Sequence, residues 1–403
     1  MGGRGFGSSL VKAELTLFVP GLCAPWRGEE PHSSLPAPHV PALQGLLTRA
    51  DRAAQSALAF EDALARALSQ TLGVEAEDLP WGALGLWGEH GVRPDGLVLR
   101  LDPVHLKLGM TDALVMGGTS LHLSLDEANT LAQALEQHFS ARGWRIVVAV
   151  PERWYVCLDE QPTDKPFELH TTPLSQALGR DAGVFKPQGK DARRWLADLT
   201  EAQMLLFAHP VNAAREARGL PIINSLWPWG AGSVAALDVP PPPSRGRAGE
   251  RGRQYAPQAP CCNAPPPLPQ PLSRNGRGEF SPTQFTAVYA NHPLARGLAL
   301  AAGLPVHDLP ETFDECADMQ GKALIILEDL VQPWQDSDYD DWQATLEGLE
   351  ARWFAPLRRA LAQGRISTLQ MDTGAARFSC KPTQRWRIWR RAKNLENLCA
   401  PSV

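Results

Sequence analysis

The chain reads as an α/β protein built on a largely parallel sheet, because short apolar runs alternate with longer segments of helical period. Three stretches carry that reading. Leu15–Val19 is a strand-like run that stops at Pro20-Gly21. Leu324–Leu327 is a second such run, followed by a helical pattern over Asp340–Ala362 with Trp342, Leu346, Leu349, Trp353 and Leu357 at its apolar positions. Ile366–Met371 then returns as a third strand.

The remaining elements follow in chain order. Val40–Leu72 reads as mainly helical, with Leu43, Leu46, Leu47, Leu58, Leu64 and Leu68 at helical spacing. Leu97–Leu101 is a strand, with Asp102 and His105 expected just past its end. Ser124 with Glu127 three residues on forms a capping box ahead of Leu131, Leu135 and Phe139, which predicts a helix over Ser124–Phe139. Arg145–Val150 and Trp154–Leu158 are strands, and Arg153 and Tyr155 share one face of the second. Residues 97–160 thus form a compact β–helix–β–β unit. His292–Ala302 reads as a helix entered through Pro293.

The segment from His209 carries the densest set of polar and conformationally special residues. Pro210 suits a first helical turn, which puts Asn212 and Arg215 on one face with His209 at the helix mouth. Arg215 offers a planar fork for a carboxylate or phosphate, and Gly219, Gly230 and Gly232 allow turns or close approach to a ligand. The same residues also describe an ordinary capped helix, a Gly-Leu-Pro stop and a buried strand.

Composition narrows the partners. The chain has 403 residues and a net charge of −5, which argues against whole-protein attachment to nucleic acid or an anionic membrane; any such contact must be local. One local candidate is Arg377–Lys393, with seven basic residues, no acid, and Trp386 and Trp389. It can hold phosphates or an anionic membrane, or else its tryptophans pack on the body while its arginines face water or the acids at 336–341. Residues 239–278 concentrate proline and six arginines with little apolar material, so a flexible insertion is expected, one that can present a polyproline helix to a protein partner. Seven cysteines, adjacent Cys261 and Cys262 among them, lack a paired CxxC framework; reduced thiols in a cytoplasmic protein are expected. The apolar start near Leu15 contains Glu14 and breaks at Pro20-Gly21, which reads as a buried strand and not a signal peptide, and no run approaches the roughly 20 apolar residues of a membrane span.

His209-Pro210-Val211-Asn212, Arg215, Gly219-Leu220-Pro221, Asn224 and Trp229–Gly232 resemble the corresponding segment of archaeal-type, cofactor-independent phosphoglycerate mutases of the alkaline-phosphatase superfamily. The chain is similar, more closely still, to a bacterial family of mutase-like proteins that also goes by the name RpfE-type regulatory protein. Glu201–Leu205, Ser225-Leu226-Trp227, Asp102–Leu106 and Pro151–Tyr155 belong to the same likeness. It implies an alkaline-phosphatase-like core over 1–96, 161–238 and 279–403, a small α+β cap-like subdomain over 97–160, and the insert at 239–278.

The resemblance also implies two divalent metals, manganese or magnesium, held by Asp and His at strand ends around a nucleophilic Ser, since paired hard cations stabilise both the attacking and leaving oxygens of phosphoryl transfer. This chain departs from that pattern. Pro20-Gly21 stands where the family has Asp-Gly, Met371-Asp372-Thr373-Gly374 stands where it has a late Asp-His pair, and no Ser sits in a nucleophile setting. Glu328, Asp329 and Asp372 remain as candidate metal ligands, near the run Asp336, Asp338, Asp340 and Asp341, which also reads as a solvated loop complementing a helix N-terminus. Asp102, His105, Arg153, His209, Asn212 and Arg215 are the candidate pocket for a small phosphorylated acid. The expected function is a mutase-like protein with a degraded metal site and a ligand-binding or regulatory role. The alternative is an active, metal-dependent 2,3-bisphosphoglycerate-independent mutase or a phosphohydrolase.

Overall fold

The computed structural model describes residues 13–23, 37–54, 60–72, 79–158, 167–237, 285–316, 321–336, 338–387, 389–391 and 393–399. The expected flexible insertion at 239–278, with Cys261 and Cys262, lies outside the described residues.

Strand β1 (Ala13–Phe18) turns at Pro20-Gly21 and leads to α1 (Pro41–Arg49), which starts at a proline and buries Ala42, Leu43, Leu46 and Leu47. The stretch expected to continue as helix is broken by β2 (Asp51–Ala54) before α2 (Phe60–Leu72). Edge pairing overrides helical spacing here: β2 joins a neighbouring strand, and Gln384 and Arg387 hydrogen-bond the Asp51 carboxylate. Helix α3 (Trp81–His90) is buried over its first two turns on every side. Next come β3 (Leu97–Leu108), β4 (Ala113–Gly117), α4 (Leu125–His138), β5 (Trp144–Val150) and β6 (Arg153–Leu158). The capping box of α4 is formed from both sides, with Ser124 Oγ accepting from Glu127 N–H and Glu127 Oε2 accepting from Ser124 N–H.

The middle of the chain supplies α5 (Leu174–Ala177), α6 (Ala192–Phe207), α7 (Pro210–Ala217), β7 (Ser225–Gly232) and β8 (Ala287–Tyr289). Then follow α8 (Pro293–Ala301), β9 (Val306–His307), β10 (Lys322–Ile326) and α9 (Val331–Gln335). The long helix expected to end at Ala362 is α10 (Tyr339–Leu349) and α11 (Ala355–Ala362), joined by a π-helical turn over Glu350–Phe354. Pro356 lacks the N–H that a continuous α-helix would need there. The turn also aims the buried Glu350 carboxylate at the Ala42 and Leu43 N–H groups, capping α1, whose own N-cap residue Val40 offers no side-chain acceptor. The chain closes with β11 (Ile366–Asp372), β12 (Ala376–Cys380) and α12 (Leu395–Cys399).

Seven strands form one sheet in the order β2-β12-β11-β1-β10-β8-β9. The five from β11 to β9 are parallel, and β12 and β2 are added antiparallel. The second sheet is antiparallel. In it β6 and β4 take the two halves of one edge of β3, β7 takes the other edge, and β5 lies outside β6. Strand β7 thus comes from the segment expected in the core, yet completes the sheet of the cap-like unit. The protein is a mixed α/β fold, as its sequence predicts.

Period-two alternation assigns each strand's residues to layers. Leu15, Leu17, Ile325, Leu369 and Met371 face α1, α10 and α11; Phe18, Leu324, Ile326 and Val288 face α3 and α8. Those two helices share their core with Val98, Tyr155, Trp227 and Trp229 of the second sheet, whose opposite face packs on α4 and α6. The contact between α3 and α8 requires glycine at Gly88, where a Cβ would stand 1.9 Å from the Pro293 carbonyl oxygen.

Two expectations are corrected. Cys23 and Cys399 form a disulfide, with Cα atoms 4.9 Å apart, while Cys157, Cys316 and Cys380 are not disulfide-bonded. Folding brings the two ends of the chain together, which spacing in sequence does not reveal. Trp386 and Trp389 do not pack on the body but are 66% and 72% exposed. Among the described residues, no helix is long and apolar enough to cross a membrane.

Candidate functional site

In an open α/β sheet, ligands bind where parallel strands end at their carboxyl edge. Here those ends carry Pro20-Gly21 after β1, Asn291-His292 after β8, Glu328-Asp329 after β10 and Asp372-Thr373 at the end of β11.

The three predicted metal ligands meet different fates. Asp372 is buried, and its carboxylate accepts from Gly374 N–H at 2.9 Å and from Arg377 Nη2 at 2.9 Å, with Arg66 Nη2 3.7 Å away. Asp329 faces Arg352 at 3.4 Å. Glu328 has no hydrogen-bond partner for Oε2, which is sealed from solvent, although the side chain as a whole keeps 28% exposure. Burial pushes its carboxyl up to about 7; the charge of Arg153 opposes that rise and Asp329 adds to it. The acids at 338–341 serve α10, whose N-cap Asp338 accepts from Asp341 N–H.

Beside Glu328 stands His292, Nε2 to Oε2 3.9 Å, with Nδ1 unpartnered and the ring edge-on to Phe60. Burial drives the imidazole down to about 3, reinforced by the charges of Arg153 and Arg100, so it is neutral at ordinary pH. Arg153, on β6 across the seam between the sheets, donates to Glu89, which also accepts from Tyr155 Oη at 3.2 Å. Burial pushes the Tyr155 hydroxyl up. The charge of one predicted ligand-binding residue, Arg153, thus reaches one predicted metal ligand, Glu328.

Asp102 sits deeper in the seam. It lies within β3, not beyond it, because pairing with β7 and β4 carries the strand on to Leu108. Its carboxylate binds Arg100 through 2.7 and 2.9 Å contacts and accepts from Trp229 Nε1 at 2.7 Å. Arg100 in turn lies between the Tyr155 and Trp229 rings, 5.2 and 4.9 Å from their centroids. Asp102 is therefore the counter-ion that keeps a buried guanidinium in place.

The polar groups of the His209 segment are taken up within the fold. Asn212 and Arg215 do share the buried face of α7, capped by His209 Nδ1 accepting from Val211 N–H. Yet Arg215 is fully buried: Nε donates to the Pro221 carbonyl, Nη1 to Glu127 and the His122 carbonyl, and Nη2 to the Leu121 carbonyl. Asn212 donates to the Leu206 and Ile223 carbonyls and accepts from Ile223 N–H. His105, also inside β3, contacts the Ile222 carbonyl at 2.8 Å. These side chains tie α7 to α4 and to the chain entering β7. Gly230, expected to allow a turn or close approach to a ligand, has positive φ and lets α3 approach, since a Cβ there would lie 2.6 Å from that of Trp81.

Sequence reasoning missed His292, Glu89 and Arg66. For His292 a signal existed, because Asn291-His292-Pro293 stands between a strand and a helix as Glu328-Asp329 does.

What the two sheets and their seam define is a mixed α/β protein. No family model matches the chain. Over 116 residues it is 30% identical to a 2,3-bisphosphoglycerate-independent phosphoglycerate mutase of Methanothrix thermoacetophila, a stretch that covers 29% of this chain and 28% of that protein. Two solved structures are similar in fold. The cofactor-independent phosphoglycerate mutase from Thermoplasma acidophilum is 15% identical, covering 92% of this chain and 89% of that one, with a TM-score of 0.41. The PH0037 protein from Pyrococcus horikoshii is 14% identical, covering 92% and 88%, with a TM-score of 0.46.

Proposed function

We propose that the chain is a phosphoglycerate mutase-like protein, of the alkaline-phosphatase-like kind, that has lost two-metal phosphoryl transfer and binds a small phosphorylated acid in a regulatory, RpfE-type role. The observation that carries this reading is the engagement of Asp372. A hard divalent cation needs several oxygen ligands whose charge is not already matched. Asp372 is matched by Arg377 and Arg66, Asp329 faces Arg352, and Pro20 brings no ligand atom. Among the described residues, no group of three or more His, Cys, Asp or Glu could hold a metal ion. The residues present do not fit the manganese or magnesium pair that the resemblance implies.

They do suit an anion. A phosphate entering the seam would share the Arg153 guanidinium with Glu89 and meet a Glu328 carboxyl that keeps its proton up to about pH 7 and so can donate a hydrogen bond. The second reading, an active 2,3-bisphosphoglycerate-independent mutase or phosphohydrolase working through Glu328, Asp329 and Asp372, is favoured by the unpartnered Glu328 Oε2 and His292 Nδ1.

The test is a coupled assay for interconversion of 3- and 2-phosphoglycerate with and without manganese, run beside metal analysis and calorimetric titration with 3-phosphoglycerate. Binding that weakens in Arg153→Gln, with neither turnover nor metal uptake, is the expected result. Manganese-dependent turnover lost in Asp329→Asn would replace the first reading by the second. Neither binding nor turnover would reject both.

A further inference from the structure

We propose that the surface built by the C-terminal segment and α1 binds single-stranded nucleic acid, independently of the strand-end site. Its first component is a pair of cation-lined clefts. One, of about 310 Å³, lies between α1 and the C-terminal segment and is lined by Arg52, Arg390, Arg391 and Lys393 around Leu47, Thr48 and Phe378. The other, of about 150 Å³, opens on α1 from the far side and is lined by Arg49, Arg358, Lys381 and Arg385. Neither has an acid in its lining. The nearby acid Asp51 is bound by Arg387, which holds its carboxyl below the usual range, and Arg390 stands 3.8 Å from it. Arg391 and Lys393 are exposed, and neither forms an ion pair among the described residues.

The second component is aromatic. Trp386 and Trp389 are the exposed tryptophans among those described, and they fall inside this basic run. The Arg385 guanidinium stacks on Trp386, 4.9 Å from its centroid. A chain of phosphates with unpaired bases needs both features at once, cations to follow the backbone and flat rings on which bases stack. The net charge of −5 confines the attraction to this patch.

The same chemistry could attract an anionic bilayer, but the geometry disfavours it. Interfacial anchors are amphipathic helices that lay one apolar face into the headgroups. Here Trp386 ends a single 3-10 turn, Pro382–Trp386, and the cations line two separate clefts and not one face of a helix.

The experiment uses the full chain and fluorescein-labelled dT20 and U20, read by anisotropy from 50 to 200 mM salt, with phosphatidylserine vesicles in parallel. Binding is expected to weaken at least about tenfold in Trp386→Ala/Trp389→Ala, through lost stacking. In Arg391→Ala/Lys393→Ala the slope of log affinity against log salt should fall by about 1.4, from two lost phosphate contacts. All four residues are exposed, and unchanged circular dichroism and melting would confirm folding. No oligonucleotide binding at 50 mM salt, binding that both variants leave intact, or binding confined to the vesicles would each overturn the proposal.

Discussion

Replacing Glu328 by glutamine should make the protein more stable, and by an amount that grows with pH. In the folded protein the Glu328 carboxyl keeps its proton up to about 7, against 4.5 for an unconstrained glutamate, because burial penalises the carboxylate. The folded state therefore binds more protons than the unfolded state between those values. Stability from this group is intact below 4.5, declines as pH rises and is fully lost above about 7. At about 1.4 kcal/mol for each tenfold change in proton affinity, the loss is about 3 kcal/mol. Solvent reaching the 28% of the side chain that is exposed screens the charge and reduces this to about 2 kcal/mol. Glutamine fills nearly the same volume and has no proton to lose. Urea denaturation of both proteins from pH 5 to 8.5 isolates the effect, because other titrating groups cancel in the difference. That includes His292, which contributes an opposite slope below 6.5. The expected result is near equality at pH 5 and a gain of about 2 kcal/mol for the variant at pH 8. A difference that stays flat over this range would refute the reasoning, since it would mean that Glu328 ionises freely in the fold.

Three further outcomes follow from the contacts. Arg153→Gln removes the charge that favours ionised Glu328, so the pH window over which E328Q gains stability should move higher when both are measured in the R153Q background. Arg215→Met should cost about 3–5 kcal/mol in urea, because three carbonyls and the Glu127 carboxylate lose a buried donor, and Arg215→Lys should not restore it since one ammonium cannot serve acceptors on Leu121, His122 and Pro221 together. Asp372→Asn should lower stability by about 2–3 kcal/mol by leaving Arg377 and Arg66 without their carboxylate, and manganese should leave the melting temperature of both forms unchanged. A manganese shift seen only with Asp372 intact would make it a ligand.

What was legible in the sequence is what local physics decides. The capping box of α4 needs only Ser124 and Glu127, three residues apart, and it formed as expected. Strands β1, β10 and β11 announce themselves as apolar runs because parallel strands are covered on both faces. Helix α3 gave no periodic signal, being buried on all sides, and β2 was hidden inside a helical pattern because its partner β12 lies more than 300 residues away. The site was legible as residue types but not as roles. Arg215 offers the chemistry of an anion clamp, yet its acceptors on Leu121 and His122 are more than 90 residues upstream, so nothing near it in sequence says the fork is already filled. Glu328 was visible at a strand end, whereas its approach to His292 depends on β8 and β10 pairing side by side, and the charge of Arg153 reaches it from the other sheet.

The Cys23–Cys399 bond gives the molecule the connectivity of a ring. The two cysteines are 376 residues apart, so everything between them is one covalent loop. A single cut anywhere in that loop, including within residues 239–278, converts the ring to a linear chain and releases nothing. On a gel without reductant the nicked protein should run as one species, and with reductant as two fragments whose masses sum to the whole. Any tool that opens the loop at 239–278 therefore leaves both halves of the large sheet tethered through the bond between β1's turn and α12, so the assembled fold can outlive the break in its backbone.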